Sequence, residues 1–208
     1  MKYVNLFLKR SIDILGSGIG LIIILPLLII VAALIKITSP GPVFFLQERL
    51  GRNGKVFRII KFRTMVTDAE HIGDGLFVSS GQDNRITKFG RILRNSSLDE
   101  LPQLINVISG TMSLVGPRPP VTYFPYNGYS DYPEWAKKRF QMRPGITGLA
   151  QIKTRTQVSW DSRIRIDNDY IDHFSFILDL KILIRTFINV IKKDNVYPED
   201  IDKLKNNN

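Results

Sequence analysis

Residues 14–35 read ILGSGIGLIIILPLLIIVAALI, and each of them is apolar or small. As one straight α-helix this run would span about 33 Å, enough to cross the hydrocarbon core of a bilayer. It is too long for the apolar part of a signal peptide and no small-residue cleavage site follows it, so it reads as a retained membrane anchor. Two features set it apart from a plain span. Pro26 stands near its centre, where it removes a backbone donor and favours a kink. Basic residues flank both ends, with Lys2, Lys9 and Arg10 before it and Lys36, Arg49, Arg52 and Lys55 after it. Lysine and arginine collect on cytoplasmic flanks, so both ends belong on that side. A helix that enters the bilayer, bends at Pro26 and returns would satisfy this; an ordinary span that tolerates its proline is the competing reading.

Working outward, a chain of 208 residues can bury one substantial core, which points to a single domain. Cysteine is absent, which excludes disulfides, thiolate nucleophiles and Cys-ligated zinc. The two histidines, His71 and His173, do not stand at metal-ligand spacing, so catalysis would have to rest on carboxylates. A net charge of +10 calls for an anionic partner: nucleic acid, phosphorylated small molecules or an anionic phospholipid membrane.

Past the helix-breaking Thr38-Ser39-Pro40-Gly41-Pro42, residues 43–47 and 56–62 are rich in β-branched and aromatic side chains. Asn53-Gly54 between them is a tight-turn signal, and a short hairpin is predicted. Residues 67–84 read as a polar loop, 87–94 and 98–108 as helices, and 133–140 as a short helix. Near the C-terminus Ile177, Leu180, Ile184, Phe187, Ile188 and Ile191 share one helical face, opposite Asp179, Arg185, Asn189 and Lys193. That face either packs on a core or lies in the membrane interface. The expected fold is mostly α with a small β-hairpin. It is a monotopic membrane protein with an N-terminal re-entrant helix (1–38), a cytoplasmic catalytic part (39–198), interfacial amphipathic helices and a disordered tail (199–208).

Ser97-Leu98-Asp99-Glu100 precedes Leu101, Leu104 and Ile105 and has the form of a capping box, with Ser97 as N-cap and Glu100 reaching back. Capping alone accounts for Ser97 and Glu100, and the helix dipole favours Asp99 in a first turn. A chemical role would use the same setting, because a carboxylate held ionised there can act as a nucleophile or bind Mg²⁺. Neighbouring residues on a helix point about 100° apart, so the two carboxylates are expected to do different work. Arg94 lies about one turn upstream, and Arg118 sits in Gly116-Pro117-Arg118-Pro119-Pro120, where prolines stiffen the backbone around a guanidinium suited to phosphate. The run Arg49, Arg52, Lys55, Arg58, Lys61, Arg63 adjoins the anchor and is expected to meet lipid headgroups.

Several short strings, in order along nearly the whole chain, resemble one family, the small monotopic phosphoglycosyl transferases, or bacterial sugar transferases. They are Lys9-Arg10-Ser11-Ile12-Asp13, Lys61-Phe62-Arg63-Thr64-Met65, Ser97-Leu98-Asp99-Glu100-Leu101-Pro102-Gln103-Leu104, Val115-Gly116-Pro117-Arg118-Pro119, Arg143-Pro144-Gly145-Ile146-Thr147-Gly148 and Leu178-Asp179-Leu180-Lys181. The resemblance implies a re-entrant helix broken at the proline, although the family's common Ser-Pro pair is Leu25-Pro26 here. It implies further that Asp99 attacks the β-phosphorus of a UDP-sugar, releasing UMP and leaving an aspartyl-phosphosugar. Polyprenyl (undecaprenyl) phosphate then takes the phosphosugar, with Mg²⁺ as cofactor.

By position, the resemblance makes Asp99 and Glu100 the catalytic pair, Asp99 a metal contact, and Arg94, Arg118 and Asp167 substrate-site groups, with Asp169 standing close to the last. It implies a place in the bacterial inner membrane, with the catalytic part on the cytoplasmic face, and it is compatible with a homo-oligomer. A length of 208 residues is expected to leave no room for the further N-terminal membrane helices of some members. Direct transfer without a covalent intermediate would differ only in mechanism. The competing class is a membrane-tethered basic binding protein in which the acidic pair merely caps a helix. Clustered basic and aromatic motifs of a nucleic-acid module are not evident, so nucleic acid is not an expected partner.

Overall fold

The computed structural model describes residues 2–72, 75, 83–154 and 158–192. The order is α1 (Lys2–Thr38), a hairpin of β1 (Phe44–Leu50) and β2 (Val56–Phe62), α2 (Lys88–Asn95), α3 (Gln103–Ile108) and β3 (Ser113–Val115). Then follow α4 (Glu134–Lys137), β4 (Gly145–Thr147), α5 (Leu149–Lys153), α6 (Trp160–Asp172) and α7 (Phe176–Ile191). The chain is mostly helical, as expected. The parallel pairing of β3 with β4 is an addition, built from strands of three residues each, too short to carry a periodic signal. The expected tail 199–208 and part of the 67–84 loop lie outside the described residues.

The hairpin pairs Phe44 with Phe62 through to Leu50 with Val56. Its turn uses the predicted residues: Asn53 and Gly54 take φ of 56° and 74°, the left-handed values that Asn and Gly tolerate best. Strand alternation then sorts the side chains. Phe57 and Ile59 turn inward and pack on Val107 and Met112, while Val56 and Arg58 turn outward. Asn106 of α3 seals the inner edge of β2, accepting from the Ile60 amide at 3.0 Å and donating to the Arg58 carbonyl at 2.8 Å.

α1 is long and apolar enough to cross a membrane, and most of it is exposed. It runs through Pro26 without interruption rather than dividing there, since a helix can continue past a proline at the loss of one hydrogen bond. The helix is fastened to the body near both ends. Near the start, Lys9 Nζ is buried against Asp179 Oδ2 (2.7 Å) and the Val115 carbonyl (2.7 Å). One turn on, Asp13 accepts from the Ser113 hydroxyl (3.0 Å) and the Leu114 amide (2.9 Å). Arg10 donates to the Val107 and Ile108 carbonyls at the end of α3, where the helix dipole favours a cation. Near the other end, Val31 and Ile35 are buried with Phe62 and Leu93. Lys9 and Arg10 are therefore internal partners of the fold, not free flanking charges as the sequence reading had them.

On α7 the inward face consists of Asp179 and Ile182, buried, with Leu183 and Thr186 beside them. The apolar stripe Ile177, Leu180, Ile184, Phe187 and Ile188 points outward, so of the two readings of this face, packing on a core is not the one realised. Asp179, placed on the polar face by the sequence, is instead the buried partner of Lys9 and of the Tyr170 hydroxyl, which donates to it at 2.7 Å.

Candidate active site

The site is assembled where the ends of α2, β2 and the Gly116–Pro120 segment meet. α2 begins with Thr87 as N-cap, its side chain accepting from the Gly90 amide at 2.9 Å. The Thr87 amide donates to the Thr64 carbonyl at 3.0 Å, just past β2. Gly90 is required by this approach, since a Cβ there would stand 1.9 Å from the Thr64 carbonyl oxygen. Close contact between α2 and residue 64 lets the Arg94 Nε donate to Thr64 Oγ1 at 2.8 Å, fixing that guanidinium.

The chain then turns sharply, and here the capping box does not form. Ser97 adopts φ 56°, ψ 17°, with no side-chain cap, and its amide donates back to the Arg94 carbonyl at 3.0 Å. An N-cap needs an extended backbone. Ser97 is instead the left-handed residue that closes the C-terminus of α2. Residues 98–108 are correspondingly not one helix: Leu98–Glu100 form a single 3₁₀ turn, and α3 starts at Gln103. The turn is what presents Asp99 and Glu100.

Glu100 Oε1 receives Lys61 Nζ at 2.6 Å and lies 3.8 Å from Arg118 Nη1. Burial alone would push its carboxyl up, but Lys61, Arg118 and Arg49 together hold it well below the usual carboxylate range. Asp99 goes the other way. Burial raises it and the Glu100 charge adds to the rise, while Lys61 and Arg94 pull it back only in part. The pair is thus split, one carboxylate held firmly ionised and the other closer to neutral, as two acids with different duties would be. The helix-terminus argument had Asp99 simply held ionised; a single 3₁₀ turn has little dipole to offer, and burial dominates.

Arg118 is fixed in an unusual manner. Prolines leave its segment few donors, yet each carbonyl from Pro117 to Pro120 accepts from a different residue: Gly145 N (3.0 Å), Arg139 Nη2 (2.7 Å), Arg49 Nη1 (3.0 Å) and Leu50 N (3.0 Å). Gly116 lets the segment lie against β4, since a Cβ there would be 2.3 Å from the Arg143 carbonyl oxygen. Arg49, half-buried next to Arg118, has its pKa lowered to about 10, by desolvation first and by the neighbouring guanidinium second.

Of the predicted residues, Asp99, Glu100, Arg94 and Arg118 come together. Asp167 is fully buried in α6, paired with Arg139 at 2.8 Å, and is joined to this group through Arg139. Asp169 is an exposed partner of Lys153 and His173. Lys61, Arg49 and Arg139 were not singled out as site residues. The basic run assigned to headgroups divides instead: Arg52, Lys55 and Arg58 are exposed, whereas Arg49 and Lys61 face the site and Arg63 clamps the Ser39 and Pro40 carbonyls at the end of α1. The signal for Lys61 was available. Period two from Phe57 and Ile59 places it on the inner face, and the register sets Arg49 opposite Phe57 on that same face.

The body thus carries a split carboxylate pair among fixed cations, and along it runs one helix long and apolar enough to cross a membrane. The family model for bacterial sugar transferases matches residues 4–193, and the chain belongs to that family. It is 44% identical over 201 residues to the UDP-glucose:undecaprenyl-phosphate glucose-1-phosphate transferase of Caulobacter vibrioides, covering 91% of this chain and 72% of that one. It is 40% identical over 188 residues to the UDP-N-acetylgalactosamine-undecaprenyl-phosphate N-acetylgalactosaminephosphotransferase of Aeromonas hydrophila (89% and 44%). The exopolysaccharide production protein PSS of Rhizobium leguminosarum bv. phaseoli is 40% identical over 196 residues, with 91% and 98% covered.

Proposed function

We propose that this enzyme transfers a phosphosugar from a UDP-sugar to polyprenyl phosphate, by way of a covalent intermediate on Asp99. The observation that carries this reading is the split acidic pair: a carboxylate freed from tight pairing beside one bound by Lys61 and Arg118. An Asp99 carboxylate oxygen attacks the β-phosphorus, the bond from that phosphorus to the bridging oxygen breaks, and UMP leaves with the electron pair. An oxygen of polyprenyl phosphate then attacks the same phosphorus and Asp99 departs as carboxylate, giving polyprenyl diphosphate sugar. Arg94 and Arg118 hold the diphosphate; Lys61 and Glu100 keep the turn in place and the charges balanced. The relatives named for these reactions, some acting on glucose and some on N-acetylgalactosamine, support the donor and acceptor classes.

Among the described residues no group of three His, Cys, Asp or Glu side chains could hold a metal by itself; Asp99 would be the residue that holds Mg²⁺, a hard cation for which a carboxylate oxygen is a fitting ligand. When bound it would offset the diphosphate charge that repels an incoming carboxylate. We further place both ends of α1 at the cytoplasmic face of the inner membrane, the re-entrant arrangement. Support comes from Lys9 and Ile35 packing on the same body and from the outward apolar stripe of α7. In that arrangement α7 lies in the membrane interface.

The test withholds polyprenyl phosphate. Wild type given Mg²⁺ and each of a panel of UDP-sugars should release about one UMP per enzyme with the accepted sugar. The peptide containing Asp99 should gain the phosphosugar mass, and Asp99→Asn should give neither. An adduct on another residue, or full turnover by Asp99→Asn, overturns the covalent assignment; acceptor-dependent turnover without any adduct would point to direct transfer.

A further inference from the structure

Arg139 is an arginine only 1% exposed, and its surroundings do not resemble those of a core ion pair kept for stability alone. Its Nη2 donates twice, to Asp167 Oδ2 at 2.8 Å and to the Arg118 carbonyl at 2.7 Å. Its Nε and Nη1 are buried without a hydrogen bond of good geometry among the described residues, beside the buried Tyr132 hydroxyl, and the guanidinium stands 5.6 Å from the ring centroids of Phe140 and Trp160. Burying two charges costs desolvation that a well-packed apolar pair of similar volume would avoid. What an apolar pair could not supply is a donor at the Arg118 carbonyl.

That donor completes a set. The Pro117 and Pro119 carbonyls are held by Gly145 and Arg49, so with Arg139 in place the peptide units on both sides of the Arg118 Cα are fixed. Both are also restricted by the neighbouring proline rings. The Arg118 side chain therefore leaves the backbone in one direction, toward Glu100. Asp167 faces Arg139 and, more distantly, Arg163; burial raises its pKa to about 6 against the pull of both guanidiniums, so its charge depends on that pairing.

We propose that Arg139, oriented by Asp167, is a positioning residue that aims the Arg118 guanidinium at the substrate diphosphate. Asp167 then acts two residues removed from the substrate rather than on it. The proposal rests on the functional reading above for the identity of the substrate, and on the hydrogen bonds alone for the relay.

A double-mutant cycle tests it. Arg139→Met and Asp167→Asn are made alone and together with Arg118→Ala, and UMP release is measured in lipid. Arg139→Met should lower kcat/KM by roughly 10²-fold, mainly through KM for the UDP-sugar. In the Arg118→Ala background the same change should cost under about threefold, because its target is gone. Asp167→Asn keeps the shape and an acceptor oxygen, and should show a smaller loss with the same non-additivity. Losses that multiply independently overturn the proposal. Amide exchange at Gly116, Arg118 and Val121 gives a readout free of turnover: it should quicken in Arg139→Met while exchange in α3 is unchanged, and unchanged exchange in that segment also overturns the relay. Wild type that releases no UMP would defeat the functional reading, and the exchange experiment would still decide the relay.

Discussion

Lys61 and Glu100 meet at 2.6 Å, joining the inner face of the hairpin to the turn that carries the acidic pair. The contact bridges two strings of sequence that are 39 residues apart. If Lys61 keeps Glu100 ionised and the turn in register, Lys61→Met should lower turnover by on the order of 10²-fold. Arg58→Met, on the same strand but outward-facing, should leave it within about twofold. Arg118→Ala should also cost far more than Arg58→Ala. Equal losses at positions 58 and 61, measured as UMP release in lipid, would remove the special standing of the inner face.

Ser97 supplies a second expectation, in stability rather than rate. A capping serine would tolerate Gly with a small loss and Ala with a larger one. A left-handed Ser97 predicts that Ser97→Gly raises stability, by up to about 1 kcal/mol, because only glycine takes that backbone freely. Thermal unfolding of the three proteins in one detergent ranks them, and serine at the top would restore the capping box.

The pH dependence of stability should carry the mark of Asp167. Its folded pKa of about 6 lies above the roughly 3.9 of an unfolded aspartate, so between these values the folded chain holds a proton the unfolded chain has lost. Stability from this group is then greatest below the unfolded value, falls as pH rises through the window, and is level above about 6. Asp167→Asn should remove that fall. Denaturant midpoints from pH 4 to 7 for both proteins give the difference, and parallel curves would mean Asp167 is not perturbed.

The native chain lacks cysteine, so single labels report cleanly on the membrane arrangement. Cysteines at Lys2 and Asn53 should both be shielded from an impermeant reagent applied outside intact cells, and labelling of the first would favour a plain span. Polarity-sensitive dyes at Leu180 and Phe187 should report an apolar setting in vesicles, and one at Lys181 a wet one; equal readings would take α7 out of the interface. Pro26→Ala should lower activity if bending matters to the anchor.

How far the sequence carried the reading depended on the range of the determining forces. The Asn53-Gly54 turn, the Thr87 start of α2 and the long apolar helix are each written in adjacent residues, and all three are found as expected. Ser97 defeated the local rule because the end of α2, not the start of α3, fixes its backbone. Lys9 and Arg10 read as free flanking charges because their partners lie far along the chain: Lys9 and Asp179 are separated by 170 residues. Arg139 had no signal at all, being one basic residue in a Lys-Lys-Arg run whose burial becomes evident only when α6 is folded against it.

Fastening α1 at both Lys9 and Ile35 leaves no swivel between the anchor and the acidic turn. In the re-entrant arrangement proposed above, the height of Asp99 over the apolar band would then be set by the fold, not averaged over tilts. In the proposed reaction a donor arriving from water can approach from many directions, but an acceptor confined to the leaflet would present its phosphate only at that one altitude. Encounter with the acceptor becomes a search in a plane, and its rate should scale with acceptor molecules per unit of membrane area rather than per unit of volume.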